Sequence, residues 1–391
     1  MKYPLVRNKI LRVYLYFWDF VYSVLKFCIQ QKSLPDKIEK NEVHRILLRN
    51  PAAFGDVLYS LRIATALKAE NPQIEIGMMA GSWTQGLVSA CPAISHIHTE
   101  NHWSVSQSGG TLLQRFWRWL KNWSSLRSEV VGVHYDLAVD LYYYFPSASL
   151  FFWAAGIPRR IGYDASGGAI LFTERKHWTF EEKHNVEYQA DLLRSIGYWL
   201  NNLSVNQNVF SFKTPDESIL HKFSLRSKQY VVFHVGTNDS AKEWRVESWK
   251  EIAAYLDCRG IKICFTGKGA REESIICQIT YGLVEKHCSL CNMLDIPELI
   301  QVIRNASLII GVDSFAGHIA ALYCIPQISI MHGATNQMHW QPYGNPNCHI
   351  VRTTLSCSPC RSIKLCDKKN ECMDIPPERV ITAVKYILNR E

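Results

Sequence analysis

The chain has 391 residues, of which 47% are apolar and 20% charged. That composition excludes a disordered polymer, and the length exceeds what one hydrophobic core usually supports, so two domains are expected. The formal net charge of +8 is concentrated: residues 1–40 hold eight Lys/Arg against three Asp/Glu, residues 111–128 add four basic residues and no acid, and the remainder is close to neutral. Both basic stretches are rich in Leu, Tyr and Trp instead of presenting side chains to base edges, so nucleic acid is excluded as a partner.

The segment from Leu11 to Ile29 is apolar almost all round a helix, yet Arg12, Asp19, Ser23 and Lys26 interrupt it. It is too charged for a transmembrane span and lacks the small-residue cleavage site of a signal peptide, so a helix at a membrane surface or packed on the protein is expected. Residues 33–40 read as a polar linker. Strand Val43–Leu48, helix Val57–Ala69 and strand Ile74–Met79 then form a β-α-β unit, the mark of a parallel sheet. Between the first strand and its helix lies Phe54-Gly55-Asp56-Val57. Asp56 at that junction is either a helix N-cap or a carboxylate general base.

A short strand is expected at Ile94–His98, followed by a helix over Leu112–Leu126. That helix gathers Leu112, Leu113, Phe116, Trp117, Leu120 and Trp123 on one face, flanked by Arg115, Arg118 and Lys121, a pattern suited either to the headgroup layer of a membrane or to packing. A strand at Leu137–Leu141, an edge segment at Arg160–Tyr163 and a helix over Asn185–Leu200 close the first half. Residues 201–216 read as a connection with little helical character.

The second half opens with the strand 230–233 and the helix 246–257. The loop between them, His234-Val-Gly-Thr237 through Lys242-Glu-Trp244, sits where a strand's carboxyl end meets a helix's amino end. Backbone N–H groups and the helix dipole attract phosphate there, so Lys242, which that field disfavours unless an anion offsets it, reads either as a phosphate ligand or as a solvated surface charge. A strand at 262–265, the turn Thr266-Gly-Lys-Gly269, helices at 271–285 and 296–305, and a strand at 308–311 follow. The next loop, Gly311-Val-Asp313-Ser314, leads into a helix over 314–322 carrying His318, and a last strand spans 327–331. Asp313 or Ser314 as a simple cap, and His318 as a packed residue, are the plainer readings of each alone. Three such loops at one architectural point favour a bound diphosphate, and two doubly wound halves imply a ligand cleft. Neither half carries a G-x-G-x-x-G fingerprint after its first strand, which argues against a hydride-transferring oxidoreductase.

Nine of the thirteen cysteines are scattered in apolar or mixed contexts and read as small core residues. Cys357, Cys360, Cys366 and Cys372 form a C-x2-C-x5-C-x5-C cluster. Structural zinc has a claim on the set, but only one half has the tight spacing of common sites, so reduced cysteines are the favoured reading.

Taken in order, Ile46–Leu58 (ILLRNPAAFGDVL), His234–Thr237 with Lys242–Trp244, Thr266–Ala270, Asp313-Ser314 with His318, Gly333–Thr335, Trp340–Gly344 and the final Cys-x2-Cys run give a specific signature. Over roughly residues 44–383 the chain resembles glycosyltransferase family 9, the heptosyltransferases of lipopolysaccharide core assembly. The resemblance implies an α/β fold of GT-B type: two Rossmann-like doubly wound domains facing a central cleft. It implies a hydrophobic, basic helix and linker over 1–40, an acceptor domain over 41–205, a nucleotide-sugar domain over 206–375 and a carboxyl-terminal helix over 376–391.

The implied activity is inverting transfer of a heptose-like sugar from a nucleotide diphosphate sugar to a lipid-linked acceptor. Asp56 would be the base, Thr237 and Lys242 would hold the diphosphate, Asp313 and Ser314 would contact the donor's sugar and phosphate, and His318 would stabilise that loop. No cofactor or metal would be required. The enzyme would be cytoplasmic and peripheral on the inner membrane. The alternative is a non-catalytic nucleotide-sugar or phosphate-binding protein on the same scaffold. The chain departs from the family pattern at Phe315, where glycine is common and is displaced to Gly317, at Arg271, where an acid is common and Glu272 and Glu273 follow, and at Asn336, where aspartate is common.

Overall fold

The computed structural model describes residues 9–28, 42–107, 109–201, 203, 208–237, 239–284, 287–334, 336–360, 366 and 370–388. The expected linker at 33–40 lies outside them. Two compact units result, the first reaching Leu203 and joined by Asn208–Ser211, the second running from Phe212 onward.

The first unit contains α1 (Lys9–Cys28), β1 (Arg45–Asn50), α2 (Phe54–Glu70), β2 (Glu75–Ala80), α3 (Gln85–Ser89), β3 (His96–Thr99), α4 (Leu112–Val133), β4 (Leu137–Asp140), α5 (Ser149–Ala154), β5 (Arg159–Tyr163), β6 (Glu174–Lys176) and α6 (Asn185–Arg194). Its six strands are parallel in the order β3-β2-β1-β4-β5-β6. The middles of β1 and β4 are apolar because helices cover both faces of the sheet: Ile46, Leu47, Leu48, Leu137, Ala138 and Val139 are fully buried.

The second unit contains α7 (Asp216–Lys222), β7 (Val231–His234), α8 (Val246–Asp257), β8 (Ile263–Thr266), α9 (Ala270–Thr280), β9 (Cys288–Ser289), α10 (Ile296–Arg304), β10 (Leu308–Val312), α11 (Phe315–Leu322), β11 (Gln327–Ile330), α12 (Gln337–Trp340), β12 (Cys348–Val351) and α13 (Pro377–Leu388). The sheet is again parallel and six-stranded, ordered β12-β11-β10-β7-β8-β9. Each unit is thus a doubly wound α/β sheet of the expected class. In each, strand order reverses at one place, between β1 and β4 in the first and between β7 and β10 in the second. Crevices at the carboxyl ends of strands beside such a reversal are where open α/β sheets bind ligands.

Several elements differ from expectation for identifiable reasons. Helix α4 runs seven residues past Leu126 because Leu126 and Val130 carry an apolar stripe into a core with Phe151, Phe152 and Tyr135. It starts with a capping box between Thr111 and Gln114 and stops at His134, which adopts left-handed φ of 59°. β5 is interior, not an edge, because the short β6 pairs outside it. Helix α6 ends at Arg194, ahead of Gly197 at φ 92°. Helix α7 begins at Asp216, which accepts from Gln301 Nε2 (2.9 Å) and Arg304 Nε (2.8 Å) on α10. Of the scattered cysteines, Cys258 and Cys277 are exposed, not core.

Helix α1 is seated on the first unit. Leu15 is buried against Gly167, and Asp19 Oδ1 accepts from Gly168 N–H at 2.8 Å. Its outer residues Val13, Tyr14, Phe17, Phe20 and Val24 remain exposed.

Candidate functional site

In the first unit the reversal point is built on Asn50, the last residue of β1. Its fully buried side chain spans the following loop: Oδ1 accepts from Ala52 N–H (3.1 Å), and Nδ2 donates to the carbonyl of Asp56 (3.1 Å) and to Ser60 Oγ (2.9 Å). Ser60 Oγ lies 3.1 Å from Gln189 Oε1 on α6. The N-cap of α2 is Ala53, with no side-chain hydrogen bond, so Asp56 is the third helical residue and not the cap.

Beneath the loop, Arg49 is buried between two carboxylates, with Nε 2.7 Å from Glu100, Nη1 3.2 Å from Asp140 and Nη1 2.7 Å from the carbonyl of Pro146. Burial pushes the Asp140 carboxyl up to about 6, against the pull of the Arg49 guanidinium. Tyr142, two residues further along, has its phenol pushed up by burial first and by the Asp56 carboxylate second.

In the second unit the loop after β7 and the loop after β10 meet. Lys242 Nζ stands 2.8 Å from Asp313 Oδ2, with side chains only 22% and 9% exposed. Thr237 Oγ1 donates to the Asp313 carbonyl at 3.5 Å. Lys242 closes a short helical turn over Ser240–Lys242 whose cap is Asp239, accepting from Ala241 N–H at 3.1 Å. The charge facing Lys242 is thus the Asp313 carboxylate. Ser314 is the N-cap residue of α11 but its side chain makes no capping bond, and its buried Oγ has no partner among the described residues. Such an orphaned hydroxyl in a native fold calls for a ligand or water. His318 is buried one turn into α11. Thr237, Lys242, Asp313, Ser314 and His318 are therefore gathered at the second reversal point, while Asp56 lies at the first.

Three neighbours were given no role in the sequence reading. Glu272, at the start of α9, lies so close to Gly236 that any Cβ there would overlap its carboxylate, and it accepts from Lys268 N–H at 2.8 Å. Its carboxyl is raised chiefly by burial. The signal was the acid displaced by one place from Arg271, which itself pairs with Glu243. His332, after β11, has its imidazole lowered chiefly by burial, against a hydrogen bond from Asn370, and it also feels Lys242, Asp313 and Asp239. His234, at the end of β7, has its imidazole lowered to about 4 by burial and lies 2.9 Å from Thr266 Oγ1. Asn336 caps α12 through its side chain, accepting from Met338 N–H at 3.0 Å.

Of the cysteine cluster, Cys357 is exposed, Cys360 and Cys366 are half-buried, and Cys372 is buried with Sγ 3.5 Å from His332 Nε2. Among the described residues no three His, Cys, Asp or Glu side chains are arranged to hold a metal ion.

The family model of glycosyltransferase family 9 (heptosyltransferase) matches residues 123–370. Lipooligosaccharide heptosyltransferase 2 of Campylobacter jejuni is 29% identical over 226 residues, covering 56% of this chain and 70% of the relative. Lipopolysaccharide heptosyltransferase 3 of Escherichia coli K12 is 25% identical over 350 residues, covering 85% and 95%. The solved structure of E. coli ADP-heptose lps heptosyltransferase II superposes with a TM-score of 0.67 at 20% identity, covering 88% of this chain and 99% of that one.

Proposed function

This chain belongs to glycosyltransferase family 9, the heptosyltransferases, and from that premise we propose that it moves a heptose from ADP-heptose to a lipid-linked lipopolysaccharide core acceptor, with inversion at the anomeric carbon. The observation that carries the donor half is the Lys242–Asp313 pair beside the orphaned Ser314 hydroxyl at the second reversal point. Thr237, Lys242 and the amino end of α11 receive the diphosphate, and Asp313 and Ser314 contact the donor's sugar and phosphate, with His318 packed behind them. The ADP and heptose assignments rest on the names of the relatives.

Asp56 accepts the proton of the acceptor hydroxyl as that oxygen bonds to the anomeric carbon. The nucleoside diphosphate leaves with the bonding pair, and Lys242 and backbone N–H groups stabilise its charge, so neither a protonating acid nor a bound cofactor is needed. The acceptor belongs to the domain over 41–205 and the nucleotide sugar to that over 206–375. We place the enzyme on the cytoplasmic face of the inner membrane, held peripherally. No helix of the described residues is long and apolar enough to cross a membrane, but α1 and α4 both present exposed apolar residues.

The test is heptose transfer from ADP-heptose to lipopolysaccharide from heptose-deficient bacteria, followed by mass spectrometry, for the wild type and Asp56→Ala. Transfer by the wild type, with product lost in the variant and donor affinity kept within a few-fold, is expected. Binding of the nucleotide sugar without turnover by the wild type would instead make the protein a binder.

A further inference from the structure

The reversal point of the first unit has a second wall, supplied by the chain leaving β4. β4 pairs with β1 in register, Asp140 beside Arg49, and Leu141 N–H donates to the Arg49 carbonyl at 3.0 Å. The residues that follow, Tyr142-Tyr143-Tyr144, thus emerge on the same sheet edge as the Asn50–Asp56 loop. Their turn is rigid: Asp140 Oδ2 accepts from Ala148 N–H at 2.7 Å, and the Pro146 carbonyl accepts from Arg49 at 2.7 Å.

The three rings are used differently. Tyr143 is buried, its hydroxyl donates to Asn185 Oδ1, and its ring lies against Trp178 (5.9 Å, 26°) and Tyr188 (5.3 Å, 45°). Tyr144 stacks on Tyr143 at 4.6 Å and 30°, and Tyr142 lies 5.6 Å from Tyr144. Tyr142 and Tyr144 are only half-buried, so each keeps part of its ring surface exposed. The Asp56 carboxylate is close enough to Tyr142 and Tyr143 to disfavour ionisation of both phenols.

Aromatic faces carry negative potential, and the C–H hydrogens on one side of a sugar ring are its least polar, most positive surface. Tyrosine offers that face with few rotors to freeze, and here a buried ring fixes it in advance. We propose that Tyr142 and Tyr144 form a stacking platform for a pyranose ring of the acceptor glycan, holding its hydroxyl at Asp56. This deepens the transferase reading above and rests on it.

The experiment measures Tyr142→Ala, Tyr142→Phe, Tyr144→Ala and Tyr144→Phe with ADP-heptose and O-deacylated, heptose-deficient lipopolysaccharide. Calorimetric binding of the same oligosaccharide is measured alongside turnover. The alanine variants should raise the acceptor KM and Kd by about two- to tenfold, the loss of one stacked contact, while leaving the donor KM as it is. The phenylalanine variants should recover most of that loss, because the ring face and not the hydroxyl does the holding. Alanine variants with unchanged acceptor KM and Kd overturn the platform, as do phenylalanine variants as damaged as alanine. A wild type that binds the oligosaccharide through these rings but never transfers heptose overturns the transferase reading and keeps the platform as a glycan site. A wild type that transfers normally with indifferent variants does the reverse.

Discussion

Lys242 and Asp313 lie 71 positions apart in sequence, yet their charged groups meet at 2.8 Å because β7 and β10 are neighbours across the reversal point of the second sheet. The pair fixes the lysine at the carboxyl edge of the sheet, where helix amino ends favour anions. A diphosphate entering there competes with, or shares, the carboxylate's hold on the ammonium.

The two partners should therefore fail differently. Lys242→Ala should weaken ADP binding by about 1.5–3 kcal/mol, one charged hydrogen bond. Asp313→Asn removes a negative charge next to the proposed phosphate site, so ADP should bind as well or better while the sugar nucleotide loses its advantage over ADP. Calorimetry with both ligands separates the cases. An equal loss of ADP affinity in the two variants would mean that the pair only braces the loop.

That pairing also marks the limit of what the sequence carried. Lys242 and Asp313 were each legible as strand-end residues, because apolar runs such as Val231–Phe233 and Leu308–Val312 announce buried strands and the helix that follows the first has a clear amphipathic period. Their adjacency was not legible, since it depends on β10 returning to the far side of β7. β6 and β12, of three and four residues, are too short to signal themselves, and β6 is wholly charged besides. The Tyr142–Tyr144 run had no periodicity, so its partition into one buried and two half-open rings needed the fold. Glu272 was visible as a displaced acid, but its contact with Gly236 depends on the parallel pairing of β7 and β8.

Arg49 offers a stability test independent of ligand. It is the guanidinium between Glu100 and Asp140, and all three side chains are buried. Arg49→Met leaves two carboxylates uncompensated in the core. It should destabilise the first unit by roughly 3–5 kcal/mol, seen as an earlier urea transition. Adding Glu100→Gln and Asp140→Asn to that variant should recover much of the loss. No recovery would mean that the arginine's packing, and not its charge, matters.

The buried imidazoles predict the pH response. His102 and His234 are both lowered to about 4, chiefly by burial, whereas an unfolded histidine titrates near 6.5. Between roughly pH 6.5 and 4 the unfolded chain binds more protons than the folded one, so stability falls as pH drops through that window. Asp140 opposes this over part of the range: with its carboxyl raised to about 6, the folded chain takes that proton first as pH falls toward about 3.8. Two histidines outweigh one aspartate, and the melting temperature should decline from pH 7 to 4.5. His234→Asn should flatten the decline in calorimetric scans; an unaltered slope would remove His234 as a cause.

Membrane contact is testable because the residues involved are not needed by the core. On α1, Val13, Phe17 and Phe20 are 69%, 59% and 68% exposed, and on α4 Leu113 and Trp117 are 65% and 53% exposed. Helix α4 packs on α5 through Trp123 and Phe151 at 5.7 Å, and α5 and α1 both pack against the turn Ala169–Leu171. Arg115, Arg118 and Lys121 border the α4 stripe, and each basic residue near an anionic surface contributes about 1 kcal/mol at low salt. Phe17→Glu with Phe20→Glu, or Trp117→Glu, should leave the melting temperature nearly unchanged and reduce sedimentation with phosphatidylglycerol vesicles. Wild-type binding should weaken at high salt, where screening shortens the reach of the basic border. Vesicle binding that ignores both the substitutions and the salt would place the contact elsewhere on the protein.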